Sequence, residues 1–118
     1  MILEDRTFTR ARYDMKLLYD RMEPGTFLEL NVQNFDRIIT MYHNGQWSND
    51  FATALTDRQR KDCMIQEQPN RTLWLGLKLR LSNYDWPLLK AVCEEAGFTR
   101  FDIIELEPNI HVRAYKNS

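Results

Sequence analysis

The sequence LWLGLKLRLS, residues 73–82, alternates without interruption between leucine and other residues. Its leucines share one parity, while Trp74, Lys78 and Arg80 share the other. Because successive side chains of a β-strand point to opposite faces of its sheet, this alternation predicts a strand over residues 73–81. We expect the leucines to line the core. The second face, with an aromatic ring and two cations, becomes the first candidate for a functional surface.

Two further stretches predict helices, which we expect to cover the leucine face. The first is expected from near Thr7 or Thr9 to about Met22, where apolar side chains recur at spacings of three and four, typical of one helix face, and the Glu-Pro-Gly of residues 23–25 ends this pattern. A second helix is expected after a capping box at residues 82–85. Gly97 is placed to cap its C-terminus, and Phe98 to make the hydrophobic contact of a Schellman motif.

Other segments predict further strands and one short helix. The stretch TFLELNV, residues 26–32, alternates in the same way and predicts a strand. The pair Asn44-Gly45 is a strong signal for a tight hairpin turn, which predicts strands near residues 37–43 and 46–50. A capping box also predicts a short polar helix over residues 56–65.

The C-terminal stretch FDIIELEPNIHVRAY, residues 101–115, predicts a β-hairpin with a three-residue loop at residues 107–109. In that register one face carries the cross-strand pairs Glu105 with His111, Ile103 with Arg113, and Phe101 with Tyr115. The residues between them face the core.

Together these elements predict an α+β fold with a mixed, mostly antiparallel sheet and helices packed mainly on one face. The chain has 118 residues, which is the size of one domain. We therefore expect a single domain over residues 1–118, in which residues 49–70 form a polar helix or loop segment.

Charge and cysteine content narrow the classes of function. Sixteen basic and seventeen acidic residues give a formal charge of −1, without the electrostatic footprint of a non-specific nucleic-acid binder. Cys63 and Cys93 lie far apart with no histidine at ligand spacing, and the glycines form no phosphate-binding loop, so we expect neither a metal nor a cofactor. The sequence shows no signal peptide and no membrane-spanning run, which predicts a cytoplasmic protein with reduced thiols.

The predicted strands bring aromatic, apolar and cationic side chains together on one sheet face. The members of this candidate surface are Trp74, Lys78, Arg80, Phe101, Ile103, Arg113 and Tyr115. Aromatic residues and arginine anchor many interfaces, because they combine a large buried area with directed polar groups. We expect a small non-enzymatic regulatory protein that binds a protein partner, or a second copy of itself as a homodimer, through this face.

Three alternatives stay open at this point. Residues 49–70 would cover the face as a second core layer, and the functional surface would then lie near Tyr42 and Trp47. The same face would bind RNA or single-stranded DNA if bases stack on its rings. A small enzyme would use Glu105 to orient His111 as an acid–base pair, although an ordinary cross-strand surface pair is the simpler interpretation.

Overall fold

The computed structural model describes residues 3–46 and 71–117. In chain order its elements are a short 3-10 helix (Leu3–Asp5), α1 (Phe8–Arg21), β1 (Phe27–Gln33), α2 (Phe35–Asn44), α3 (Arg71–Lys78), α4 (Trp86–Ala96), β2 (Arg100–Glu105) and β3 (Asn109–Tyr115). They fall into two compact units, one of Met1–Phe35 with Leu81–Ser118 and one of Asp36–Arg80. We call the described residues of the first the sheet unit and those of the second the helical unit. The expectation of a single domain stays a prediction.

Helix α1 begins at a side-chain cap and ends before a proline. The hydroxyl oxygen of Thr7 accepts a hydrogen bond from the backbone N–H of Arg10 at 3.3 Å. This bond satisfies one of the amides that the start of a helix leaves without a partner. Two residues of the apolar stripe, Ala11 and Met15, are fully buried. The predicted helix over residues 7–22 is confirmed within one residue at each end.

Helix α4 also lies where the sequence predicts it, but a different residue caps its start. A carboxylate oxygen of Asp85 accepts a hydrogen bond from the backbone N–H of Leu88 at 2.9 Å, so Asp85 is the N-cap. Ser82, the first residue of the predicted capping box, instead donates its hydroxyl to the carbonyl of Leu3 at 3.1 Å.

The end of α4 confirms the predicted glycine cap. Gly97 has φ of 124°, in the region that favours glycine, and a Cβ added there would lie 2.6 Å from the ring of Tyr19. The backbone N–H of Phe98 donates to the carbonyl of Cys93 at 3.0 Å, as in a Schellman motif. Phe98 itself is fully buried, so the cap also contributes to the core.

The sheet is antiparallel throughout its described strands, in the order β1-β3-β2. Strand β1 pairs with β3 in a regular register from Phe27 opposite Tyr115 to Gln33 opposite Asn109. Strand β2 pairs with β3 less regularly, because the register shifts between Ile103 and Glu105. This shift is a β-bulge whose extra residue is Ile104.

The core of the sheet unit lies between one face of this sheet and helices α1 and α4. We call this the inner face, and its buried residues are Leu30, Val32, Ile110, Val112 and Ala114. The helices contribute Ala11 and Met15 from α1 and Leu89, Val92, Cys93 and Ala96 from α4. The predicted fold class is confirmed: an α+β fold whose sheet packs helices against one face.

The chain leaves and re-enters the sheet unit at one place. Asn34, just after β1, forms an isolated parallel bridge with Tyr84, and the N–H of Phe35 donates to the carbonyl of Tyr84 at 2.8 Å. The side-chain amide of Asn34 also donates to the carbonyl of Leu106 at 2.8 Å. Residues 36–80 are therefore connected to the sheet unit through two adjacent segments that are bonded to each other.

The predicted strand over residues 73–81 is wrong, because residues 71–78 form helix α3. Leucine, lysine and arginine are strong helix formers and are not enriched in strands, so residue type here outweighs the alternating pattern. In the helix, Trp74 packs with Ile38 and Met41 of α2.

The predicted strand over residues 37–43 is also helical and belongs to α2. The residues of α2 that are buried, Ile38 and Met41, are three apart, a spacing that suits one helix face. Gly45, with φ of 73°, follows the helix, and the N–H of Gln46 donates back to the carbonyl of Met41 at 3.1 Å. Asn-Gly suits a helix end as well as a hairpin turn, and here it ends a helix.

The remaining expectations for this part of the chain lie outside the described residues. The second strand of the predicted hairpin, near residues 46–50, is described only at Gln46. The polar helix over residues 56–65 lies wholly outside the described residues.

The described helices are short. The longest, α1, has 14 residues, whereas a membrane-spanning helix needs about 20. No helix in residues 3–46 or 71–117 is long and apolar enough to cross a membrane.

Candidate functional site

The structure does not bring the predicted surface residues onto one sheet face. Trp74, Lys78 and Arg80 belong to the helical unit and not to a strand. Trp74 is fully buried against Ile38, and the ammonium of Lys78 lies 6.0 Å from the centre of its ring. The placement of these three residues on a sheet is therefore wrong, because it depended on the strand over residues 73–81.

Phe101 and Ile103 lie on the inner face and not beside Tyr115. The bulge at Ile104 moves the rest of β2 by one residue, so that Phe101 is opposite Ala114 and Ile103 is opposite Val112. Phe101 packs edge-on against Trp86 of α4, with ring centres 5.6 Å apart. The predicted register contained no bulge, so it was correct at Glu105 and His111 and wrong at the pairs beyond the bulge.

The structure brings together a different group of residues on the opposite side of the sheet, which we call the outer face. Alternation along the paired strands arranges them in three rows. The rows are Phe27, Tyr115 and Arg100; Glu29, Arg113 and Asp102; and Asn31, His111 and Glu105. Arg113 and Tyr115, two of the predicted binding residues, are among them.

Two rings and two guanidinium groups meet at one end of the outer face. The rings of Phe27 and Tyr115 lie 5.5 Å apart, tilted by 50°. The guanidinium of Arg100 lies 4.6 Å from the centre of the Tyr115 ring, and that of Arg113 lies 5.1 Å from the Phe27 ring. We call these four residues, three from the first row and Arg113 from the second, the aromatic–arginine row. Each stacked cation contributes about 0.5–1 kcal/mol at an exposed site and holds its partner in place.

The carboxylates nearest to the row are already hydrogen-bonded. The hydroxyl of Tyr115 donates to a carboxylate oxygen of Asp102 at 2.7 Å, and this bond raises the pKa of Tyr115 above its ordinary value. A carboxylate oxygen of Glu29 lies 2.6 Å from Nε2 of His111. Both acidic side chains are therefore held by neighbours on the central strand β3.

The two arginines of the row are less well satisfied. The closest carboxylate oxygen to Arg113 is that of Glu29, 3.9 Å from Nε, and this buried Nε has no hydrogen-bond partner. In the described part of the chain, no carboxylate lies within ion-pair distance of Arg100, whose contact is the face of Tyr115. The row thus presents two oriented guanidinium groups whose hydrogen-bonding capacity is largely unused.

The outer face is accessible in the described residues. Phe27 is 47% exposed, and the side chains of Arg113 and Glu29 are 41% and 48% exposed. Phe27 is thus an exposed ring beside a guanidinium group, a combination of residue types that is enriched at protein interfaces.

The described residues offer less for chemistry. They contain no group of three or more His, Cys, Asp or Glu side chains that could hold a metal ion. Burial raises the pKa of the Cys93 thiol to about 12, which leaves it protonated and a poor nucleophile. His111 lies opposite Glu105 as predicted, but its hydrogen bond goes to Glu29.

Phe27 and Arg100 are the members of the row that the predicted surface left out. Phe27 shares its parity with Glu29 in the TFLELNV stretch, so alternation places it on the outer face, but nothing in the sequence shows that β1 pairs with β3. Arg100 joins the row only because of the bulge, which has no signal in the sequence.

The alternative surfaces are tested in part. Tyr42 packs against the buried cluster of the helical unit and does not flank a hairpin turn. Trp47 and residues 49–70 lie outside the described residues, so the suggestion that this segment covers the sheet stays a prediction.

Comparison with known proteins adds no family. No protein-family model matches the sequence, and no curated protein matches it.

Proposed function

We propose that this chain is a non-enzymatic binding protein that recognises a protein partner through the outer face of its sheet. The observation that carries the proposal is the aromatic–arginine row, Phe27, Tyr115, Arg100 and Arg113, on an accessible face. Tyrosine and arginine are enriched among the residues that dominate binding energy at protein interfaces.

Contacts within the chain already order the side chains of the aromatic–arginine row in the absence of a partner. Each guanidinium lies on a ring, and the hydroxyl of Tyr115 is bonded to Asp102. Immobilising a long side chain on binding costs about 0.5–1.5 kcal/mol, so side chains that are already ordered lose less on association. This arrangement favours specific binding over incidental contact.

The charges of the outer face favour a protein over a nucleic acid. Glu29 and Asp102 lie in the same cross-strand row as Arg113, and Glu105 lies in the row beyond it. A nucleic-acid strand that stacks on the rings would bring its phosphates close to these carboxylates and would gain little from counterion release. A second copy of the chain is one form that the partner can take.

Affinity capture from the native host tests the proposal with three versions of the chain. These are the unchanged chain, Phe27→Ser, and the control Tyr13→Ser, which removes an aromatic side chain from α1 that is 59% exposed. We expect a protein that the unchanged chain and the control retain, and that Phe27→Ser retains about tenfold less, equivalent to about 1.4 kcal/mol. Equal retention by all three would exclude the outer face as the binding surface.

Sedimentation equilibrium on the same three proteins distinguishes self-association from binding to another protein. A dimer that weakens in Phe27→Ser but not in Tyr13→Ser would identify the partner as a second copy. Thermal unfolding of each variant checks that the fold is retained.

A further inference from the structure

We propose that the aromatic–arginine row recognises a carboxylate group on an acidic peptide segment of the partner protein. This inference rests on the proposed function and specifies the chemistry of the partner. It follows from how the charges on the outer face are paired and from how the two arginines are oriented.

The two guanidinium groups are oriented by rings, and in the described residues neither makes a short ion pair. Arg100 lies on Tyr115 without a carboxylate neighbour among the described residues, and Arg113 lies on Phe27 with its nearest carboxylate oxygen 3.9 Å away. A guanidinium is a planar fork of donors that matches a carboxylate in two parallel hydrogen bonds. A ring that supports one plane of the guanidinium leaves the donors at its edge available to a ligand.

The neighbouring acids do not supply that carboxylate from within the chain. Asp102 is bonded to the hydroxyl of Tyr115, and Glu29 is bonded to His111. Glu29 approaches Arg113 only to 3.9 Å while it is bonded to His111. If Asp102 turned towards an arginine, it would lose its short hydrogen bond to gain an ion pair at a water-exposed site, which is worth little. A carboxylate from outside can pair with the arginines without breaking these bonds.

The extent of the cationic region favours an acidic peptide over a polyanion. Arg100 lies in the end row of the outer face, Arg113 lies in the next row between Glu29 and Asp102, and Glu105 follows in the third row. A peptide can place one or two carboxylates on the row and neutral residues beyond it. A nucleic acid carries a phosphate at every nucleotide and would meet those acids.

Fluorescence anisotropy with the full chain tests this proposal. The probes are a capped, labelled peptide of glutamates and glycines, the same peptide with glutamine in place of glutamate, and a labelled oligothymidine. The proteins are the unchanged chain, Arg100→Gln, Arg100→Lys, Arg113→Gln and Arg21→Gln. Arg21, an exposed residue in the last turn of α1, is the matched control.

We expect the glutamate peptide to bind about tenfold more tightly than the glutamine peptide and to weaken about tenfold in Arg100→Gln and in Arg113→Gln. Arg21→Gln should bind like the unchanged chain. Arg100→Lys keeps the charge but loses the fork, so its affinity should fall between those of the unchanged chain and Arg100→Gln. Because Arg113 lies on the central strand, Arg100 is the decisive position if Arg113→Gln unfolds.

Four results would overturn the proposal: equal binding of the two peptides, no binding of the glutamate peptide up to millimolar concentrations, equal weakening in Arg21→Gln, or tighter binding of oligothymidine than of the glutamate peptide. The proposed function is tested separately by the captured partner. If Arg100→Gln and Arg113→Gln retain that partner while Phe27→Ser loses it, the outer face binds a protein but does not recognise a carboxylate group on it.

Discussion

The inner and outer faces of the sheet are built from alternate residues of the same strands, yet they differ in how their side chains are held. On the inner face, Leu30, Val32 and Ile110 are at most 3% exposed and pack against α1 and α4. On the outer face, Phe27 and Tyr115 are held by directed contacts with arginines and a carboxylate. Non-directional burial gives the inner face its contribution to stability, whereas directed contacts orient the side chains of the outer face, which is the surface that we propose for binding.

The largest effect that this comparison predicts comes from adjacent residues of β3. Replacing Ile110, which is fully buried, by alanine should lower the free energy of unfolding by about 2–5 kcal/mol, because it removes buried surface and leaves a cavity. Replacing its neighbour His111 by alanine should change it by less than about 1 kcal/mol, since His111 makes an exposed pair. Urea unfolding of both variants measures the difference. Similar losses in the free energy of unfolding would show that the outer face contributes to stability as much as the inner face does.

A smaller effect is expected at Gly97, which ends the helix that covers the inner face. Gly97→Ala should lower the free energy of unfolding by about 1–3 kcal/mol, because alanine is strained at its φ of 124°. The ring of Tyr19 must also move, since the added Cβ would lie 2.6 Å from it.

Gly76→Ala is the matched control for this prediction. Gly76 lies in α3 with open space around its Cα, so alanine there should stabilise the helix by about 0.5–1 kcal/mol. Thermal unfolding monitored by circular dichroism compares the two variants. A Gly97→Ala protein as stable as the unchanged chain would contradict the close packing of α4 against α1.

The smallest effect concerns the outer face alone and appears at high pH. The hydrogen bond to Asp102 raises the pKa of Tyr115, so the folded chain holds this proton more tightly than the unfolded chain does. The associated stability is fully present below about pH 10, the ordinary tyrosine value, and is lost as the pH rises through the raised value.

Ultraviolet difference titration measures this shift at the tyrosinate absorption band. Subtracting the Tyr115→Phe curve from that of the unchanged chain isolates Tyr115, and Asp102→Asn should return its pKa towards the ordinary value. An ordinary pKa for Tyr115 in the unchanged chain would show that the hydrogen bond to Asp102 does not hold in solution.

Local sequence signals were sufficient for much of the sheet unit. Helices α1 and α4 carry an apolar stripe bounded by a cap and by Pro24 or Gly97, and β1 alternates cleanly. Each of these signals is complete within a few neighbouring residues. The structure therefore agrees with the prediction wherever local preference and burial pattern favour the same element.

The helical unit was not predictable in the same way, because its signals conflict. Residues 73–81 have the period of a strand but the residue types of a helix, and Asn44-Gly45 fits a hairpin turn and a helix end equally well. In the structure these residues are helical, and Trp74 is buried beside Ile38 and Met41. Contacts of this kind join residues far apart in the sequence and leave no local pattern.

The candidate site was only partly predictable for a related reason. Arg113 and Tyr115 follow from alternation along β3, but the partners that make them a site come from β1 and β2. Predicting that Phe27 belongs to the site requires the strand order, and predicting that Arg100 belongs to it requires the bulge at Ile104. A shift of one residue moves every side chain beyond it to the other face, so the site depends on a detail that propensity does not encode.

The bridge between Asn34 and Tyr84 has a consequence for how the length of the chain affects stability. Because the sheet unit bonds these two segments to each other, its own hydrogen bonds bring together the two ends of the intervening chain. The entropy of closing a flexible loop grows only with the logarithm of its length, about 0.6 kcal/mol for each doubling. The closure entropy that the hydrogen bonds of the sheet unit must offset therefore changes little with the number of residues between the two segments.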